Sequence, residues 1–557
     1  MKPWVTQSQL RERVELALQR ASQVVQLPRL LGANREDVRL WFTGLGEAFE
    51  GHHLDQYPKD YKAKIQAPWP QPSPHTSVQN PRELAPSVLH VPTAEIEEFL
   101  EKVVGRYVKT LKNEWWGALS ESWLQQGVEP LSTGEFNRLL GETPFSRFLT
   151  PIHDQEFLPE GLSAAPLKGP FKDLALFSTV LSQYDSSRSA ARGSKKGRLF
   201  KIDLTPLDDC ELHPGQELAG SITLLEQKPN GRYQSLAIAF PRTGVVLTPS
   251  HGDRWKLAQY LVLQGCANAL IALMHPRLHF PSDTINAVTK TLLPADHPVS
   301  QLILPHCYLQ LPLNFAVLYI DRSVAHNHQK EIYTPFPMTR DGFLNLMKAG
   351  YGGIDDNSAY PSFRFEKGGQ KIPSIYGDYL NSSYEILRDF CQEVLDASGV
   401  NPSEKLLGTW ADSIASFLDG FPNAREIQEK GTLGEVIATF IHTVSFAHSA
   451  DHIAYAKESL RKVPLRIRVP PPSLGGSFVL DRKKLLRKTD LFRHRMAWRM
   501  YFRANTLRRF TEVTYSFKSG RALLALDRMR ARFQTWDRGT LPQRFATLDQ
   551  IACSIQY

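Results

Sequence analysis

Apolar positions along this chain follow two rhythms. Over 5–25, over 94–127 and from 254 onward they recur at helical spacing, which predicts amphipathic or buried helices. Around 198–250 the rhythm changes. "GRLFKIDL" (197–204) and "SLAIAF" (235–240) read as strands, and "KPNGRY" (228–233) as a turn between them. The proline-rich 52–93, with "QAPWPQPSPHTSVQNP", reads as an extended arm, and "DSSRSAARGSKKGR" (185–198) as an exposed loop. Further loops are expected at 328–375 and 463–477, and no internal repeat is visible. The predicted fold class is mainly α with a small β portion.

The most apolar long stretch, 257–274, contains Gln259, Gln264 and Asn268. It reads as a buried helix, because a membrane span needs about 20 mostly apolar residues. "MKPWVTQSQLRERVELALQRA" becomes charged before an apolar core can form, so no signal peptide is expected. A hydrophobic content of 42% with 10% aromatics predicts a globular chain with ample core. The formal net charge of +9 is modest, but cations concentrate between Arg482 and Arg532. They read as the solvated face of basic helices, with attraction to an anionic lipid surface (peripheral membrane contact) or to a carboxylate substrate as sharper readings. Nucleic-acid binding is not expected, since no recognition module accompanies the charge. The five cysteines, Cys210, Cys266, Cys307, Cys391 and Cys553, are scattered without CxxC. That excludes a disulfide framework and a cysteine zinc site, and points to a reducing cytoplasmic compartment.

Two histidine pairs stand out among the 17 histidines. "MHPRLHF" (274–280) places His275 and His279 four apart, and "SFAHSADH" (445–452) places His448 and His452 four apart. That spacing puts both imidazoles of a pair on one helix face. Two such helices offer four nitrogen ligands to a transition metal, and imidazole suits iron, manganese, copper or zinc alike. A single pair is weak evidence, because a buried histidine is more often simply hydrogen-bonded. Pro276 is the obstacle in the first pair: it lacks a helical N–H and disfavours helix in the residue before it. His442 reads as core or as support for the ligands. Asp451 is expected to face away from the pair or to cap a neighbour.

Several stretches resemble the lipoxygenase family, in order along 195–557. They are "GRLFKIDL"; "LTPSHGDRWKLAQYLV" (247–262), with Trp255 and Ala258; and "LLPADHPVSQLILPH" (292–306), with its His297-Pro298 and Pro305-His306 bracket. "IYGDYLNSSYEILRDFCQEVL" (375–395), "SFAHSADH" and the closing "LPQRFATLDQIACSIQY" follow. The resemblance implies a large helical catalytic domain around a long central helix, over 191–557. Residues 1–190 would be a helical or irregular region packed on it as one continuous unit; the family's N-terminal β-sandwich lipid-binding module is not evident.

The family usually spaces its first two ligands five residues apart, beside a π-type widening of the helix. Counting from Trp255 makes His275 the second ligand and leaves Leu270 where the first belongs; counting back from His297 makes His279 a later, non-ligand histidine. The rival reading takes His275 and His279 as the pair at contracted spacing, as some fungal manganese-containing members have it, and is preferred because both face one side. The resemblance then implies metal ligands at His275, His279, His448, His452 and the terminal carboxylate of Tyr557, where the family ends in isoleucine or valine. It implies a non-haem iron, with manganese as the alternative. The implied reaction abstracts hydrogen from a polyunsaturated fatty acid and adds O2 to give a hydroperoxide. Two other readings stay open: an oxidase of this fold with altered ligands and another substrate, and a metal-free protein that binds lipid or a protein partner.

Overall fold

The computed structural model describes residues 93–152, 177, 180, 198–319, 324–326, 335–351, 373–418, 420–458, 463 and 465–557. The helix expected at 5–25, the arm at 52–93 apart from Thr93, and the 185–198 loop apart from Arg198 lie outside the described residues.

The chain is mainly α, as its apolar spacing predicts. The small β portion is one antiparallel sheet in the order β1 (Leu149–Pro151), β2 (Arg198–Asp203), β3 (Ile222–Gln227), β4 (Tyr233–Phe240) and β5 (Val245–Leu247). Its inner face gives Phe200, Ile202, Leu225, Ile238 and Phe240 to the main core. Ile222, Leu224, Ala237 and Ala239 close over a second, smaller cluster. Leu224 and Leu225 face opposite sides by the ordinary pleat, and the register shift between them leaves Leu236 as an extra residue on β4.

The core is organised on one helix of 38 residues, Asp253–Lys290, long and apolar enough to cross a membrane but with 94% of its most apolar window buried in protein. Its polar residues show why. Gln264 Nε2 donates to the carbonyls of Glu217 (2.8 Å) and Leu465 (3.2 Å), and Asn268 Nδ2 donates to Leu465 O (3.0 Å). The helix therefore carries its own fasteners to the irregular strand beside it, which lipid could not satisfy.

A second long helix runs from Leu433 to Glu458 and packs on Ile375–Ala397. The segment Ile551–Tyr557 is buried throughout. It is held by Ala552 N donating to Ser449 Oγ (3.0 Å), Cys553 N to Arg508 O (2.9 Å), and His306 Nδ1 to Cys553 O (2.8 Å).

One expectation changes, and one is filled in. Within the predicted loop 328–375, Arg340–Tyr351 is a helix that buries Phe343, Leu346 and Met347. Its glycines, Gly342 and Gly350, obscure the period, but Gly342 is needed: a Cβ there would lie 2.4 Å from Glu211 O. Many of the basic residues near 482–532 are tied to acids, as in Arg495–Glu121 (2.7 Å), Arg528–Glu393 (2.6 Å) and Arg532–Asp389 (2.8 Å). Those cations serve helix packing at the surface.

Candidate metal centre

Both histidine pairs start at the first residue after a π-turn. Leu270–Met274 is π-helical, and His275 N donates to Leu270 O five residues back (2.8 Å). Thr443–Ala447 is the matching π-turn before His448. This resolves the Pro276 obstacle. A proline ring collides with the carbonyl four residues before it in a regular helix, and a widened turn there gives it room. His275 keeps helical angles (φ −65°, ψ −39°), and Pro276 opens the next α-segment, where its missing N–H costs least. The chain stays helical through "MHPRLHF", so His275 and His279 share a face.

The four imidazoles converge. His275, His279, His448 and His452 each offer a ring nitrogen within 4.8 Å of the others. The Nε2 atoms of His279 and His275 are 2.9 Å apart, those of His448 and His279 3.1 Å, and those of His452 and His275 3.1 Å. The unmade alternative, a ligand at 270, is occupied by Leu270, which lines the adjacent cavity.

The outer ring nitrogens fix which way the inner ones face. His279 Nδ1–H donates to Asn314 Oδ1 (2.7 Å). Asn314 cannot be turned the other way, because its Nδ2 donates to Asp283 Oδ1 (2.7 Å) and to His279 O (3.1 Å). His452 Nδ1–H points at Phe502 O (3.4 Å). Both rings therefore turn an Nε2 lone pair inward. Burial, followed by the neighbouring imidazoles, holds His279 and His448 well below the usual histidine range, and burial with His275 takes His452 down to about 3. Neutral rings whose lone pairs face each other at about 3 Å fit a cation at their common point. His448 Nδ1 has no hydrogen-bond partner among the described residues.

Edge lengths bear on the coordination geometry. With metal–imidazole bonds of ~2.1 Å, neighbouring donors lie ~3.0 Å apart at right angles and ~3.4 Å apart in a tetrahedron. The edges of 2.9, 3.1 and 3.1 Å match the right-angled set.

Tyr557 is 4% exposed, its ring centroid 5.2 Å from that of His448 and 5.0 Å from that of His452, and its hydroxyl 3.2 Å from Ser449 Oγ. The chain end is thus threaded into the site. His442 lies elsewhere, stacked on Phe446 and 3.0 Å from Ser383 Oγ. Asp451 does not face away as expected. Its carboxylate accepts from Arg147 Nη1 (2.6 Å) and Tyr376 OH (2.6 Å) and comes within 3.6 Å of His275 Nδ1. Asn314, Arg147 and Tyr376 are functional neighbours that the histidine spacing does not reveal. The one local signal is Asn314 itself, an amide inside the apolar run "LPLNFAVLY".

The imidazoles open on a cavity with ≈ 800 Å³ of empty space, its mouth included. Leu270, Ile271, Phe280, Leu313, Val317, Phe343 and Met347 make its wall almost wholly apolar. The apolar lining suits a hydrocarbon ligand.

No family model matches the chain. A human hydroperoxide isomerase, ALOXE3, is 25% identical over 51% of this chain; the chain spans 43% of that relative's length. Among solved structures, a coral 8R-lipoxygenase aligns over 90% of this chain and 81% of its own, with a TM-score of 0.62 and 14% identity. The manganese lipoxygenase of Gaeumannomyces graminis aligns over 84% and 92%, with a TM-score of 0.60 and 13% identity. A lipoxygenase in complex with arachidonate aligns over 90% and 81%, with a TM-score of 0.60 and 14% identity. The described fold is a lipoxygenase-like catalytic domain.

Proposed function

We propose that the chain is a non-haem iron or manganese oxidoreductase of lipoxygenase type, acting on a polyunsaturated fatty acid with O2. The observation that carries this is the convergence of four imidazoles on the wall of an apolar cavity. His275, His279, His448 and His452 would hold the metal, with the buried Tyr557 carboxylate as a fifth ligand. Right-angled edges favour an octahedral ion over tetrahedral zinc. When bound, such a metal supplies the one-electron oxidation that allows hydrogen to leave a doubly allylic carbon, to which dioxygen adds as a hydroperoxide. The chain's own part is to hold the pentadiene against the imidazoles, exclude water along the apolar wall and keep the chain extended.

Arg106 supports an acid headgroup. Its Nε and Nη2 are buried without a hydrogen-bond partner among the described residues, beside cavity-lining Tyr107 and within electrostatic reach of His452 and Tyr557. A buried cation of this kind calls for an anion. Arg106→Gln is expected to raise KM for linoleate ~10-fold at unchanged kcat, with no effect on methyl linoleate. An equal loss on acid and ester would assign Arg106 to structure alone.

Near-stoichiometric iron or manganese in purified protein, with conjugated-diene formation and oxygen uptake on linoleate or arachidonate, is the expected result. Alanine at any of the four histidines should strip the metal. Full occupancy in His279→Ala would refute the contracted pair, and a protein that takes up neither metal refutes the proposal. The match to a hydroperoxide isomerase favours one second reading, rearrangement of a fatty-acid hydroperoxide. Hydroperoxide consumption without oxygen uptake would select it.

The remaining assignments follow the same reading. The five thiols are unpaired, which supports a cytoplasmic location. Thr93–Glu142 shares the main core with the sheet and the histidine helices, which supports one continuous unit across the 190/191 boundary. Leu523 and Leu524, 44% and 58% exposed on the Gly520–Asp537 helix, support peripheral membrane contact.

A further inference from the structure

The four imidazoles are not supported alike. His279 has an amide behind it, His452 a backbone carbonyl, and His448 no partner among the described residues. His275 alone faces a carboxylate. We infer that Asp451 is the positioning residue of His275: it holds the Nδ1–H of that ring, turns the Nε2 lone pair toward the other three imidazoles and strengthens it as a donor.

His275 is where the site most needs outside support. It sits at the junction between the π-turn and Pro276, and its side chain is 19% exposed on the cavity wall, whereas His279, His448 and His452 are buried. Among the described residues, none on its own helix hydrogen-bonds Nδ1. Asp451 reaches it from the other histidine helix, one residue before His452, with Oδ2 3.6 Å from Nδ1. The carboxylate cannot swing away, because Oδ2 accepts from Arg147 and Oδ1 from Tyr376, each at 2.6 Å. Asp451 and Arg147 are both 3% exposed, so these charge-assisted bonds are shielded from solvent. The guanidinium at 2.6 Å and the Tyr376 hydroxyl at 2.6 Å are the partners an anionic carboxylate needs in a buried place. An anionic carboxylate behind a ligating imidazole selects one tautomer and raises the basicity of the inner nitrogen. The second histidine helix thus holds a ring of the first in place, and of the four imidazoles His275 alone is backed by a carboxylate.

This rests on the metal reading only in its second consequence, so two measurements separate the claims. In metal-free protein, 15N NMR of labelled histidine is expected to show His275 as the Nδ1–H tautomer. In Asp451→Asn it should become a mixture, while His279 is unchanged. In iron-loaded protein, Asp451→Asn is expected to raise the midpoint potential and to speed metal release to a chelator ~10–100-fold. Tyr376→Phe should do the opposite to the potential, because the carboxylate, freed of one donor, presses harder on His275. A loss of packing would not give shifts of opposite sign. An unchanged tautomer in Asp451→Asn, or potentials moving the same way in both variants, overturns the inference. If Asp451→Asn does not fold, the sign of the Tyr376→Phe shift decides. If the protein binds neither iron nor manganese, the proposed function falls and the tautomer alone decides the role of Asp451.

Discussion

Arg147→Met lowers the unfolding free energy by ~3–5 kcal/mol, because it leaves the Asp451 carboxylate buried without its cation. Both side chains are 3% exposed and 2.6 Å apart, so water cannot take the place of the guanidinium. Arg147 lies on the short Pro144–Phe148 helix beside β1, and Asp451 on a histidine helix 304 residues later. The loss therefore unties the early part of the chain from the site. Adding Asp451→Asn to Arg147→Met removes the stranded charge and should recover more than half of the loss. An exposed pair gives the contrast. Arg425 and Glu429 also lie at 2.7 Å, but at 82% and 56% exposure their removal should cost under ~1 kcal/mol. Denaturant midpoints of the three variants check this, and equal effects at the two sites would contradict it.

Acid should destabilise the protein well before its carboxylates titrate. Burial holds His306 down to about 4, partly countered by its bond to Cys553 O, and holds His442 down to about 3. In the unfolded chain both titrate near 6.5. The unfolded state thus takes up protons first as pH falls, so stability is full above 6.5 and is lost progressively toward 4 and 3. Each ring contributes a slope of ~1.4 kcal/mol per pH unit, so moving from pH 6.5 to pH 5 costs ~2 kcal/mol apiece. Denaturation at pH 7.5 and pH 5 measures the sum, to which the similarly depressed His279, His448 and His452 add in metal-free protein. His442→Gln should flatten the slope by one proton whatever it does at neutral pH. An unchanged slope would mean that His442 already takes a proton in the folded state.

How much of this was legible in the sequence depends on range. The 3.6-residue period of the central helix, the alternation of Phe200 and Ile202, and the four-residue histidine spacings are local, and the structure shows the elements they predict. Gln259, Gln264 and Asn268 argued against a membrane span, and Gln264 and Asn268 are indeed bonded to protein carbonyls. What was not legible is what distance in sequence hides. Asp451 reads as a residue facing away, because its partners Arg147 and Tyr376 lie 304 and 75 positions off. Asn314 is 35 residues from His279. Pro276 reads as a break because local rules assume a regular α-turn before it. The π-turn that accommodates it has no simple sequence mark, so the same letters looked like a damaged site.

That turn also makes the centre a matter of counting. A π-turn is an α-helix with one residue to spare. Winding the same Leu270–Met274 residues as a regular α-helix would rotate everything downstream by ~100° against the upstream half. His275 and His279 would leave the cluster together, still perfectly paired, while Trp255 through Ala269 stayed packed. The same holds for Thr443–Ala447 and the second pair. In this fold the difference between a convergent set of donors and two unrelated histidine pairs is one widened turn on either helix, with no change in which residues are present.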